Sequence, residues 1–234
     1  CSSLTCFLIY FSRLEMKHFL RKLLGLLFSY MSWTCGIILA MSRSWRVWEV
    51  DSEIVPMVSI GLWEVFYIQD LNISGVLVKM GQVCVMDGSW ALPDEITYAQ
   101  ELIVLANLMK SVVLSFGTTT LWVSWIKAPY PEFLRMYYRI CTHLLLLSSC
   151  CTLSAVIWNF SADFSGETTF DFPESFPVKK EALIRERGSY VLPLAITTTF
   201  LSVISAFSFL FERYLLTQIH VEPTILGRSS KQRV

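Results

Sequence analysis

Trp45-Arg46-Val47-Trp48 begins a polar stretch, Ser42 to Tyr98, in which Gly61-Leu62-Trp63 and Ala91-Leu92-Pro93 follow in order. The stretch is rich in acidic and aromatic residues, whereas residues 23–41 before it carry no charge. Such an abrupt change of composition separates a water-exposed segment from an apolar anchor. We expect the polar stretch to be the working part of the protein and the apolar segments to hold it at a membrane.

The composition of the whole chain favours an integral membrane protein. Of its 234 residues, 54% are apolar and 16% are charged, whereas soluble domains average about 45–50% apolar and about 25% charged. The apolar residues fall in blocks of roughly 20, the helix length that crosses about 30 Å of hydrocarbon. A formal net charge of zero, with no long basic run, argues against a nucleic-acid partner.

Four apolar segments are predicted to span the lipid bilayer as helices, at residues 23–41, 102–122, 140–158 and 190–211. They leave an N-terminal segment 1–22, a first loop 42–101, a turn 123–139, a second loop 159–189 and a tail 212–234. The predicted fold class is a mainly α membrane protein, a four-transmembrane-helix bundle with a small extracellular antiparallel β-sheet.

The start of the first span and a lysine in the second span are open to more than one interpretation. Residues 1–15 are a doubtful part of the mature chain, because the chain begins at Cys1 and Met16 is a candidate start. A basic flank before an apolar run also describes a secretory signal peptide, but the run of 19 residues exceeds the usual core of about 7–15. In the second span, Lys110 is expected to face the bundle or to snorkel, or else to line a path through it.

The distribution of charge predicts which side each segment occupies. Residues 1–22 carry four basic groups and one acid, and the turn 123–139 carries three and one. The first loop carries three basic groups and nine acids. Because basic flanks stay in the cytoplasm, both termini are expected there and both loops outside.

The first loop is predicted to form a small sheet. Four pieces are rich in the β-branched and aromatic residues of strands and are separated by Gly, Asp-Ser and Asn-Ile-Ser-Gly breakers. They are Trp45–Val50, Ile54–Ile60, Leu62–Ile68 and Gln82–Met86. The second loop is Phe-rich and is expected to be a short loop with exposed aromatics, which form a contact surface or pack on the sheet.

Trp45-Arg46-Val47, Gly61-Leu62-Trp63 and Ala91-Leu92-Pro93, in this order and topology, resemble the claudin family over about Gly25 to Phe211. The resemblance implies a tight-junction or cell–cell adhesion protein of the plasma membrane, a structural component that shapes paracellular permeability. Its partners would be other claudin-like tetraspans, in the same membrane and on the next cell. The alternative is a tetraspan auxiliary subunit or regulator of another membrane protein without a barrier role. A third interpretation is a degenerate paralogue.

The cysteines depart from the family's pattern. The family places a cysteine three residues after the Gly-Leu-Trp tryptophan, where this chain has Phe66, and Cys84 falls close to the position of its partner. The disulfide that the resemblance implies is therefore expected to be absent. Cys84 is expected to be a buried thiol rather than a reactive one, with an intermolecular bridge as a minor option.

Trp63 and the acidic residues of the first loop each have two interpretations. The resemblance places Trp63 where the sheet meets the membrane, while an ordinary sheet-core tryptophan fits the residues equally well. The acids of the loop would favour cations if they lined a passage between cells; the other interpretation is a solvated surface without a pore. They are Glu49, Asp51, Glu53, Glu64, Asp70, Asp87, Asp94 and Glu95.

The remaining motifs concern modification, binding and catalysis. Asn72-Ile73-Ser74 is a glycosylation sequon, and Asn159-Phe160-Ser161 is a second one that modification is not expected to reach at the membrane. Val234 suits the terminal pocket of a PDZ scaffold, although Gln232 weakens that motif. The histidines lack partners at catalytic spacing. We expect no enzyme, no cofactor and no metal site.

Overall fold

The structure is a computed structural model that describes the backbone of residues 3–52, 54–73, 76–88, 90–126, 131–166, 170–174, 176–178 and 183–231. Its elements are α1 Ser3–Ala40, β1 Arg46–Val50, β2 Met57–Ile60, β3 Glu64–Ile73, β4 Val76–Val85, α2 Asp94–Trp125, α3 Pro131–Phe164, β5 Leu183–Arg187 and α4 Val191–Lys231. All four helices are long and apolar enough to cross a membrane, over Phe19–Ala40, Asp94–Trp125, Glu132–Phe164 and Val191–Gln218. The predicted combination of four apolar helices with a small antiparallel sheet is confirmed.

The helices are longer than the predicted spans. Helix α2 begins at Asp94 rather than at residue 102, and α3 continues to Phe164 rather than to 158. Pro93 accepts hydrogen bonds from the amides of Ile96 and Thr97 and so starts α2. Acidic side chains in that first turn favour the positive end of the helix dipole. Apolar composition located the helices, whereas capping residues decide where they begin.

The chain folds as two compact units. The helical unit comprises Cys1–Trp33, Leu108–Ser149 and Phe200–Val234, and the sheet unit comprises Thr34–Asn107 and Cys150–Thr199. In the helical unit, α1 and α4 are joined by hydrogen bonds between serines, Ser29 to Ser205 at 2.6 Å and Ser32 to Ser202 at 2.5 Å. Lys110 is buried there, so its side chain does not face surrounding lipid or water.

The sheet unit holds a five-stranded antiparallel sheet in the order β4-β3-β2-β1-β5. Its inner face covers a core of side chains from the sheet and from both connecting segments. That core consists of Trp48, Val50, Val55, Val58, Ile60, Val65, Trp90, Ile96, Phe170, Phe176 and Val178. Strands β1, β2 and β3 are neighbours both in sequence and in the sheet, and their strand-like composition predicted that the first loop forms a sheet.

The strands differ from the prediction in two ways. Strands β3 and β4 pair over their full length, from Glu64 with Val85 to Ile73 with Val76, so the hairpin is longer than expected. Strand β5, Leu183–Arg187, lies in the second loop and pairs with β1. Apolar and polar residues do not alternate regularly in β5, and three of its five residues are charged. The strand therefore forms through pairing with β1 rather than through its own strand preference.

The prediction of exposed aromatics in the second loop is wrong for Phe170 and Phe176. Both side chains are buried in the core beneath the sheet. Phe160 and Phe164 are exposed, but they lie on the last turns of α3. The interpretation that these aromatics pack on the sheet therefore holds for the part of the loop that lies after α3.

Candidate functional site

Two tryptophans fasten the sheet to the C-terminal end of α1. The indole Nε1 of Trp45 donates to the carbonyl of Leu39 at 3.0 Å, and Nε1 of Trp63 donates to the carbonyl of Ala40 at 3.0 Å. The last carbonyls of a helix lack partners within the helix, and these indoles supply them. Trp63 is 43% exposed, so the structure places it at the helix–sheet junction rather than in the sheet core.

The Gly61-Leu62 pair forms a tight turn between β2 and β3. A Cβ at Gly61 would lie 2.9 Å from the Ser42 carbonyl oxygen and 3.0 Å from that of Glu64. The first contact is closer than real Cβ atoms approach and the second is tighter than most, and both involve backbone atoms, so the turn requires glycine. Leu62 is buried, and its carbonyl accepts a hydrogen bond from the side chain of Gln100 on α2.

A buried ionic cluster joins β1 to two helices. The Arg46 side chain is 1% exposed; it donates from Nη2 to Glu95 Oε1 at 3.1 Å and from Nε to Asn159 Oδ1 at 3.0 Å. The same Nε lies 3.6 Å from Asp163 Oδ1, which also accepts from Trp48 Nε1 at 3.1 Å. A buried charge without its partners costs several kcal/mol, so this cluster holds β1, α2 and α3 in one arrangement.

Sequence reasoning missed this cluster, although a signal was present. Side chains two residues apart on a strand point to the same face. Trp48 is an obvious core residue, and Arg46 precedes it by two positions on the same strand. An arginine placed on the core face of a strand needs buried acceptors, which predicts carboxylates from other elements.

Aromatic rings fill the space beneath the sheet. Trp90 lies 5.9 Å from the ring of Phe170 and 5.6 Å from that of Phe176, and Trp48 lies 5.8 Å from Phe170. Phe172 stacks on Phe176 at 4.5 Å. Each such pair contributes about 0.5–1.5 kcal/mol beyond its buried area. The rings come from β1, from the segment before α2 and from the second loop, so they link both predicted loops.

Cys84 and Phe66 lie on opposite faces of the sheet. Cys84 is opposite Val65 on β3, whereas Phe66 is opposite Val83. Cys84, predicted to be a buried thiol, is half-buried, forms no disulfide and packs against the core. Burial raises the pKa of the neighbouring Tyr67 hydroxyl, and Cys84 adds to that rise. Val65, rather than Phe66, therefore lies opposite Cys84.

The face of the sheet that points away from the core, here called the open face, is partly apolar. It carries Phe66 on β3 and Val83 and Val85 on β4, and Val85 is 69% exposed. At one end of this face is a groove of about 560 Å³. The groove is lined by Ile37, Ile38, Met41, Arg43, Phe66 and Tyr190, among others.

The acidic side chains of the first loop do not form one surface. Glu95 belongs to the buried cluster, Glu49 pairs with Arg187 at 3.1 Å, and Glu64 pairs with Arg43. Asp51 and Asp94 are exposed. Glu53 lies outside the described residues, as does the side chain of Asp70. Asp87 is also exposed. Three of the six acids whose side chains the structure describes are therefore paired with arginines, which weakens an acidic passage.

Three predicted modification or binding residues have different outcomes. Asn72 is on β3 opposite Leu77, and its side chain lies outside the described residues, so glycosylation stays a prediction. Val234 also lies outside the described residues, so its role as a PDZ contact likewise stays a prediction. Asn159 is 2% exposed and accepts from Arg46. Its amide is therefore not accessible to glycosylation once the sheet unit has folded.

No protein-family model matches this chain, and no curated protein matches its sequence. The class of protein therefore follows from the fold: it is mainly helical, and its described residues form four helices long and apolar enough to cross a membrane and one five-stranded antiparallel sheet. Within it, the best-developed site is the helix–sheet junction formed by Trp45, Gly61, Leu62 and Trp63, together with the open face beyond it.

Proposed function

We propose that this chain is a claudin-like tetraspan protein of the plasma membrane that contributes to cell–cell adhesion at tight junctions. The four helices anchor it in the bilayer, with both termini in the cytoplasm and the sheet unit outside the cell. Copies associate side by side in one membrane and meet copies on the next cell. In this position the protein is a structural component that shapes paracellular permeability.

The observation that carries this proposal is where the resembling residues meet. Trp45 and the Gly61-Leu62-Trp63 turn are far apart in sequence, yet all lie around the C-terminal end of α1. Each has a role that its residue type alone fulfils: indole donors for helix carbonyls, glycine for a close approach and leucine for a buried contact. A family motif shared by chance would not be expected to converge in this way.

The open face supplies the proposed contact surface. Val83 and Val85 are exposed aliphatic side chains on the edge strand β4. Contiguous exposed apolar surface outside a membrane is a feature of interaction sites. Phe66 extends the same face toward the groove beside α1.

To test this proposal, the full chain is expressed in two populations of cells that lack junction strands, with a different tag in each population. The populations are mixed, and the label at contacts between two expressing cells is compared with that at contacts with non-expressing cells. We expect enrichment only where both cells express the protein. Replacing Val83 and Val85 with Asp should reduce the enrichment, while replacing both with Thr, which keeps the β-branched shape without charge, should reduce it much less.

Uniform surface label in the mixed culture would overturn the adhesion proposal. Combined with co-purification of another membrane protein, it would favour the auxiliary-subunit alternative. Retention of the unmutated chain inside the cell would favour a degenerate paralogue. Surface biotinylation of every variant separates these outcomes, because only chains that reach the surface can adhere.

A further inference from the structure

Small residues bring α1 and α4 close together in the helical unit. A Cβ at Gly25 would lie 3.0 Å from Ser208 Cβ, and Ser205 Oγ donates to the Gly25 carbonyl at 2.8 Å. Close approach over small residues is a common way for helices to pack in membranes. The large side chains beside this contact cannot enter it, so they diverge and leave a groove.

The groove between α1 and α4 has a volume of about 730 Å³. Its walls are almost entirely apolar and face away from the protein, and most of the large ones are exposed. The lining side chains are Leu24, Phe28, Ile204, Phe207, Leu210 and Phe211, with Arg21, Ser208 and Tyr214. Both helices here belong to segments apolar enough to cross a membrane. Hydrocarbon is the material that such a surface contacts most favourably.

One end of the groove is polar and basic. The Arg21 guanidinium lies 4.9 Å from the Phe211 ring centroid, and its Nε lies 3.5 Å from Glu212 Oε1. Tyr214 lines the same groove and is exposed. Arg21 is the charged residue among the described side chains that line the groove. Arginine offers several donors in a planar arrangement that suits a phosphate.

We propose that this groove binds one phospholipid. An acyl chain lies along the wall that contains Leu24 and Phe207, and the phosphate lies at Arg21 and Tyr214. The apolar length and the basic end match the two chemically different parts of such a molecule. An anionic headgroup is preferred over a zwitterionic one because the charged side chain that lines the groove, Arg21, is basic. The proposal rests on insertion of the helices in a bilayer and goes beyond the adhesive function, which it does not require.

The test is native mass spectrometry of the purified full chain, titrated with phosphatidylserine or phosphatidylcholine in detergent. We expect one phosphatidylserine to be retained per chain, with weaker retention of phosphatidylcholine. Arg21→Gln should weaken phosphatidylserine binding about tenfold, as expected for loss of a charged hydrogen bond. Arg135→Gln, which also removes an arginine paired with a glutamate, should leave the binding unchanged.

A second pair of variants tests the apolar wall without altering the interior. Phe207 and Phe200 lie on the same helix and are 65% and 64% exposed, but only Phe207 lines the groove. Phe207→Ala should lower lipid retention, and Phe200→Ala should not. Equal retention in all four variants means an unspecific lipid shell and overturns the proposal. Displacement by millimolar inorganic phosphate alone would also overturn it, because the site would then bind free phosphate.

Discussion

The contact between α1 and α4 in the helical unit and the aromatic core beneath the sheet place polar and apolar side chains in opposite ways. In the helical unit, serines meet between α1 and α4 while Trp122, Trp125 and Phe207 are exposed. In the sheet unit, Trp48 and Phe170 are buried while charged side chains such as Arg185 are exposed. A surface surrounded by hydrocarbon gains nothing from burying apolar groups, whereas one surrounded by water does. The contrast matches the apolar composition of the helices and the more polar composition of the stretch that forms the sheet.

The largest expected effect comes from the buried charge of the sheet unit. Arg46→Leu leaves the buried Glu95 and the partly buried Asp163 without their guanidinium, which should cost about 3–5 kcal/mol of stability. Thermal unfolding in detergent, followed by tryptophan fluorescence, measures the loss. Arg185→Leu is the control, because Arg185 is exposed. Equal midpoints for the two variants would mean that the cluster does not hold the sheet to the helices.

The second prediction concerns the aromatic core beneath the sheet. Phe170→Ala removes a buried ring that contacts Trp48 and Trp90, and should cost about 3 kcal/mol. Phe164→Ala removes an exposed ring and should change stability by less than about 0.5 kcal/mol. Both are measured by the same unfolding experiment. A large loss from Phe164→Ala would contradict a water-facing surface in this part of the sheet unit.

A third prediction uses the strand register. Val65→Cys places a thiol directly opposite Cys84, and oxidation should form a bridge that contributes about 2 kcal/mol, or somewhat less after the lost packing of Val65. Phe66→Cys places the thiol on the other face and should form none within the chain. Mobility on non-reducing gels and counts of alkylated thiols distinguish the variants. A bridge in Phe66→Cys, but not in Val65→Cys, would mean that the register is shifted by one residue.

The smallest effect is expected in the helical unit. Ser205→Ala removes hydrogen bonds to Ser29 and to the Gly25 carbonyl, and such bonds between membrane helices average about 0.6 kcal/mol. Ser115→Ala is the control, because Ser115 is exposed and donates to the carbonyl of Ser111 on its own helix. The difference is read from unfolding midpoints in detergent. A loss as large as that of Arg46→Leu would erase the contrast between the two units.

The general architecture followed from the sequence because its signals are local. Runs of apolar residues define the helices, and alternation of side chains defines β1 to β3. Strand β5 was missed because its residues form a strand only through pairing with β1. The predicted hairpin of β3 and β4 is too short because Asn72-Ile73-Ser74-Gly75 has the composition of a breaker, whereas Asn72 and Ile73 both pair with β4.

The candidate site was predicted less completely than the fold. The motif residues Trp45, Gly61, Leu62 and Trp63 were found, but their common contact with the end of α1 was not. The Arg46 cluster joins residues 49 to 117 positions apart, and a single sequence carries no information about such distant pairs. Burial, which distinguishes Glu95 from the exposed Asp94 beside it, likewise depends on the assembled structure.

The attachments of the sheet have a mechanical consequence if the protein holds two cells together. Indole hydrogen bonds tie the sheet to α1, the Arg46 cluster ties it to α2 and α3, and Ser42 donates to the Tyr190 hydroxyl just before α4 at 2.7 Å. A pull on the sheet is therefore shared among the ends of all four helices. Links loaded together resist rupture better than links that break one after another, so the four helix ends would share the load before any single attachment gives way.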